Sequence, residues 1–137
     1  MRHGHEAMAR IGGMYKGKPC VISPSKTEHL IVMEIHLKEL GLEFEREFQF
    51  AKSIGRRWRF DWCVPRLMLA IECEGIVWKG DAGRHQRATG MSEDLHKYAT
   101  AMSLGWSVWR FSPQMILRGE AKEFLALWLK SKQKETR

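Results

Sequence analysis

Two adjoining stretches decide the fold: Arg57-Trp58-Arg59-Phe60-Asp61-Trp62-Cys63-Val64, and Leu67-Met68-Leu69-Ala70-Ile71-Glu72-Cys73-Glu74-Gly75. Each alternates in side-chain character with a period of two, the mark of a strand with two unlike faces. In the first, Trp58, Phe60, Trp62 and Val64 share one face, and Arg57, Arg59 and Asp61 the other. In the second, Leu67, Leu69, Ile71 and Cys73 share a face opposite Glu72 and Glu74. Only Pro65 and Arg66 lie between the runs, which predicts an antiparallel hairpin. Such pairing lets Asp61, Glu72 and Glu74 converge on one patch of sheet. Three gathered carboxylates repel one another and titrate abnormally, and a divalent cation removes that cost. Oxygen-only ligands favour a hard ion, Mg2+ or Mn2+. The pattern therefore points to metal-dependent phosphodiester chemistry.

Outward from this hairpin, the chain divides into a basic, irregular N-terminal arm (1–24), one folded domain (25–130) and a basic tail (131–137). A length of 137 residues suits one domain with a single core. Ser25 is a candidate N-cap for a helix to about Leu40, with Glu28 in the capping-box position and Gly41 as its stop. Its apolar stripe is Leu30, Met33, Leu37 and Leu40. Residues 43–50 alternate as a first strand. After Gly75 the glycines and basic residues Lys79, Gly80, Gly83, Arg84, His85, Arg87 and Gly90 read as a loop. Ser92 then caps a second helix to about Leu104. Trp106–Phe111 is a fourth strand, and Ser112 with Pro113 opens a third helix to about Lys130. The order α-β-β-β-α-β-α predicts an α/β domain on a single mixed β-sheet flanked by helices.

Composition bounds the partners. A net charge of +7 suits a polyanion, and an acidic cluster inside so basic a chain is hard to ascribe to solubility. No apolar run approaches the roughly 20 residues that span a bilayer, and no secretory signal is visible. Cys20, Cys63 and Cys73 show no zinc spacing and read as reduced thiols of an intracellular, cytoplasmic protein. Nothing in the chain indicates an oligomer.

An acid on the second strand, an acid-x-acid on the third and this element order resemble the PD-(D/E)XK nuclease superfamily. The chain is most similar to its very-short-patch mismatch endonuclease branch and to small DUF559-like endonuclease domains. The residues carrying the likeness are Arg59-Phe60-Asp61-Trp62, Glu74-Gly75, Trp78 with Arg84-His85, and Gly105-Trp106-Ser107-Val108-Trp109-Arg110-Phe111, within about residues 25–115. The resemblance implies a restriction-endonuclease-like core and Mg2+-dependent cleavage of DNA in repair, recombination or phage and mobile-element processing. It implies that Asp61 and Glu72 hold the metal, with the Cys73 backbone carbonyl, Glu74 and an acid of the first helix, Glu28 or Glu34, as further candidates. The family's third-strand motif ends in lysine, where this chain has Glu74. The catalytic cation must then come from elsewhere, from Lys97 or Lys79, with His85 as a further group for proton transfer.

Each of these residues also has a plain structural reading. Asp61 can pair with Arg57 or Arg59, Glu28 can serve only as a cap, and Lys97 can pair with Asp94 on its own helix. Trp78 can pack or stack on a base. Lys52, Arg56, Arg57 and Arg59, with Lys79, Arg84 and Arg87, are the candidates for holding a DNA backbone. The alternative function is a non-catalytic nucleic-acid-binding module on the same fold, for which the glutamate at position 74 is the main support.

Overall fold

The computed structural model describes residues 14–15, 18–19, 27–75 and 80–136, with the backbone alone over 14–15, 18–19 and 80–89. Its centre is a four-stranded mixed sheet, in the order β3 (Glu45–Gln49), β4 (Arg59–Val64), β5 (Leu69–Cys73) and β6 (Ser107–Phe111). β3, β4 and β5 are antiparallel neighbours, and β6 joins parallel to β5. The expected hairpin is present, with Trp62 opposite Ile71 and Val64 opposite Leu69. Its connection is a 3₁₀ turn, Pro65–Leu67, ending at Met68 in the left-handed region (φ 51). A two-residue ladder, β1 (Met14–Tyr15) with β2 (Lys18–Pro19), lies within the segment read as irregular.

Alternation along β5 sorts the core into two layers. Leu69 and Ile71 join Trp62, Val64 and Phe111 beneath α1 (Glu28–Glu39), α3 (Pro113–Leu117) and α4 (Glu120–Glu135), which contribute Met33, Leu37, Ile116 and Leu125. Ala70 joins Phe60, Cys63 and Trp106 beneath α2 (Gly80–Ser103), which contributes Ala101. In this second layer Phe60 stacks on Phe50 at 4.1 Å between ring centroids and meets Trp106 edge-on at 5.1 Å. Each such pair contributes about 0.5–1.5 kcal/mol beyond the area it buries.

Several expectations need correcting. Trp58 and Phe60 do not share a face with Trp62 and Val64: they pack in the α2 layer. Glu47 stands in the left-handed region (φ 51), and the ladder between Arg46↔Trp62 and Phe48↔Phe60 skips it and Asp61. A left-handed residue rotates the chain, so both strands change face at that rung. The first helix opens at Thr27, which makes no side-chain cap, and Glu28 occupies its first turn rather than a capping box. Ser25 lies outside the described residues. The segment from Gly80 to Met91 is the first half of α2 rather than a loop, so Ser92 is an interior residue. Ala82, Arg84, Gln86, Arg87 and Ala88 are good helix formers and outweigh the three glycines Gly80, Gly83 and Gly90. The final helical stretch is broken at Gly119 (φ 80) and continues to Glu135, past the Lys130 end. Ser112 does cap α3, accepting from the Met115 amide at 3.2 Å, with Pro113 following.

Candidate active site

Strand direction gathers the site. β5 and β6 are parallel, so their carboxyl ends lie together, and β4 runs the opposite way, which brings its early residue Asp61 to the same end. In open α/β sheets the crevice beyond those carboxyl ends is where ligands bind. Asp61 is fixed by the main chain: its Oδ2 accepts the Cys73 amide at 2.8 Å, beyond the last β4–β5 rung. An aspartate inside a tryptophan-rich strand thus substitutes for a backbone acceptor and keeps its other oxygen for a different partner.

Glu72 points into the α2 layer and is 7% exposed, the buried charged residue of the described core. The Lys97 ammonium donates to its Oε1 at 2.6 Å, and the Tyr98 hydroxyl donates to its Oε2 at 3.1 Å. Burial raises the Glu72 pKa and Asp61's negative charge adds to the rise, against the opposing pull of Lys97 and Tyr98. Burial also raises Tyr98 out of reach of ordinary pH, so its hydroxyl stays a donor. The sequence readings of Asp94–Lys97 as a pair are therefore displaced: Lys97 crosses from helix to sheet instead.

Glu74 is held differently. Arg110 on β6 binds its Oε1 through Nε at 2.7 Å and through Nη2, and the Tyr98 hydroxyl lies 3.4 Å from the same oxygen. The Arg110 guanidinium also lies over the Tyr98 ring, 4.2 Å from its centroid. Tyr98 and Arg110 were not among the sequence candidates. The signal for Arg110 was its place in the GWxVxRF-like strand, one residue before Phe111. Tyr98 carried no signal beyond following Lys97. Cys73 contributes its backbone, while burial and two nearby carboxylates push its thiol up to about 11.

The remaining candidates fall elsewhere. Glu34 lies under the opposite layer, where Arg46 grips it at 2.5 Å and Trp62 Nε1 donates to it at 2.9 Å. The arginine holds its carboxyl below the usual range, and the group ties α1 to the sheet instead of serving the site. Glu28 keeps one buried carboxylate oxygen, Oε2, with no hydrogen-bond partner among the described residues. Lys52, Arg56, Arg57 and Arg59 are exposed around the β3–β4 connection. Arg84, His85 and Arg87 stand in the first half of α2; His85 is about 18 Å along the axis from Lys97 at 1.5 Å per residue. Lys79 and Trp78 lie outside the described residues.

Whether these groups fit a cation can be asked of the donors. Among the described residues, no three His, Cys, Asp or Glu side chains form a ready metal cluster. Asp61 and Glu72 are nevertheless close enough to couple electrostatically, and both offer oxygen only. Magnesium commonly takes one or two carboxylates and leaves its other positions to water and substrate phosphate. The pair fits such an ion.

Comparison with known proteins gives a fold. No family model matches the chain, and no curated protein matches it. Among solved structures it is similar to the catalytic domain of the homing endonuclease I-Bth0305I, at 15% identity and a TM-score of 0.50. The similarity covers 74% of this chain and 94% of that domain. Across so low an identity the likeness is one of architecture. Among the described residues, no helix is long and apolar enough to cross a membrane. The chain is an α/β protein whose mixed sheet, flanked by helices, has the nuclease-like core of that catalytic domain.

Proposed function

We propose that the chain is an Mg2+-dependent DNA endonuclease of the PD-(D/E)XK type, nearest the very-short-patch branch. One observation carries the reading: a buried Glu72 with the Lys97 ammonium 2.6 Å away, on the sheet face and at the sheet end that Asp61 shares. A buried ion pair is poor value as a stability device, because desolvation of both charges offsets their attraction. Placed beside a second carboxylate at the open end of a sheet, it has the composition of a phosphodiesterase site.

Asp61, Glu72 and the Cys73 carbonyl would hold the ion, with Glu28 as a further donor. When bound, magnesium or manganese lowers the pKa of a coordinated water and offsets charge on the scissile phosphate. The chain's own residues do the rest. The Cys73 amide fixes Asp61, Tyr98 fixes Glu72, and Arg110 keeps Glu74 turned to β6. Lys97 supplies, from a rigid helix, the positive charge that the family places after the third-strand acid. That charge opposes the negative charge that grows on the phosphate in the transition state. Arg84, His85 and Arg87, farther along α2, are better placed to hold flanking phosphates than to act beside Lys97. A non-catalytic binding module would have no use for carboxylates directed at a phosphate, and Lys97 answers the objection raised by Glu74.

The test is cleavage of a panel of labelled duplex, mismatched, branched and single-stranded DNAs. Cutting is expected with magnesium or manganese, and binding without cutting in calcium, whose looser geometry positions water poorly. Full cutting in excess EDTA would refute the metal mechanism.

A further inference from the structure

The connection between β3 and β4 is a second feature of the site end of the sheet, apart from the residues assigned to the metal and the transition state. β3 runs toward that end and β4 leaves from it, so residues 50–58 flank Asp61. Here a 3₁₀ turn, Lys52–Ile54, carries Ile54 with 54% of its surface in solvent. The turn is firmly mounted. The amides of Ile54 and Arg56 donate to the Ala51 carbonyl at 3.2 and 3.1 Å, and Gly55 donates to Lys52 at 3.0 Å. Gly55 takes φ 76, which a side chain would oppose. Beneath it Ala51 and Phe50 are buried, with Phe50 stacked on Phe60. An aliphatic side chain is thus held outward on a rigid base.

Every charged residue from Lys52 to Arg59 is basic: Lys52, Arg56, Arg57 and Arg59, all exposed. Arg56 lies 4.8 Å from the Trp58 ring centroid, which limits the wandering of its guanidinium. Arg59 is the least free, with Glu47 at 4.0 Å. Four cations around a lone apolar tip match a surface on which phosphates flank an apolar base stack. Cations there release counterions from the backbone, while a small aliphatic wedge enters the minor groove and unstacks a step.

We propose that the Lys52–Arg59 turn grips the minor groove of duplex DNA, with Ile54 wedged against a base step next to the cleavage site. The placement beside a cut rests on the nuclease reading; the grip does not. The full chain, held in EDTA, is titrated with duplexes carrying 2-aminopurine at successive positions. Wild type should raise fluorescence at one or two adjacent positions. Ile54→Ala should lose that rise and bind about tenfold more weakly with an unchanged salt slope. Ile54→Leu should retain both. Replacing Arg56 and Arg57 together by alanine should shallow the salt slope by about two contacts. Ile54→Ala with wild-type affinity and fluorescence overturns the wedge, and if it also cuts in magnesium the nuclease reading stands. Duplex bound and unstacked by wild type, yet never cut with magnesium, keeps the wedge and refutes the nuclease.

Discussion

Lys97 reaches across from helix to sheet to meet a glutamate whose charged form burial disfavours. The contact joins a positive charge to a negative one that burial disfavours. If Lys97 acts on the transition state, Lys97→Met should slow single-turnover cleavage by about two to three orders of magnitude, with DNA affinity little changed. An equal loss of affinity and rate would make it a binding residue instead. The same contact governs titration. In the metal-free protein the Glu72 carboxyl should titrate above the ordinary carboxylate value, because burial and Asp61 disfavour its charged form. Asp61→Asn removes a like charge and should lower that pKa, whereas Lys97→Met removes the counter-charge and should raise it. Carbon-detected NMR of the side chain reads both shifts, and shifts of the opposite sign would contradict the arrangement. Because the folded state holds this proton more tightly, its contribution to stability is full below the unfolded pKa. That contribution fades as pH rises through the raised folded value.

At the scale of elements, what was legible is what repeats within a single strand or helix. The Trp62–Val64 and Leu69–Ile71 hairpin, the existence of the fourth strand and the Ser112-Pro113 helix start all follow from local periods and local chemistry, whereas the parallel pairing of that strand with β5 does not. The change of face at Phe60 was not legible, because its cause is the left-handed Glu47 on the neighbouring strand. Tyr98 was missed for a related reason: only the crossing of α2 over β5 shows which helix residue meets Glu72. Lys97 was proposed through family resemblance, and the structure brings it to Glu72. The early start of α2 was hidden by its glycines, whose propensity argues for a loop. That start is testable. Gly90 lies inside the helix with nothing within 4 Å of an added Cβ. Gly90→Ala should therefore stabilise the protein by roughly 0.5–1 kcal/mol in denaturant unfolding. A loss of stability would mean that the backbone there is not helical.

For the molecule as a whole, the sheet does two jobs. Its middle is covered by helices on both faces, and its site end carries the buried Glu72 and half-buried Asp61 and Glu74, flanked by the exposed basic residues of the β3–β4 connection. A net charge of +7 suits a polyanionic partner. The chain's acids then work against binding unless chemistry requires them. That tension makes the most direct test a comparison of cutting with binding. Asp61→Ala and Glu72→Ala should each abolish cleavage of a labelled DNA substrate in magnesium, while binding it as tightly as wild type or slightly more so. Near-wild-type cutting by either folded variant would contradict the account.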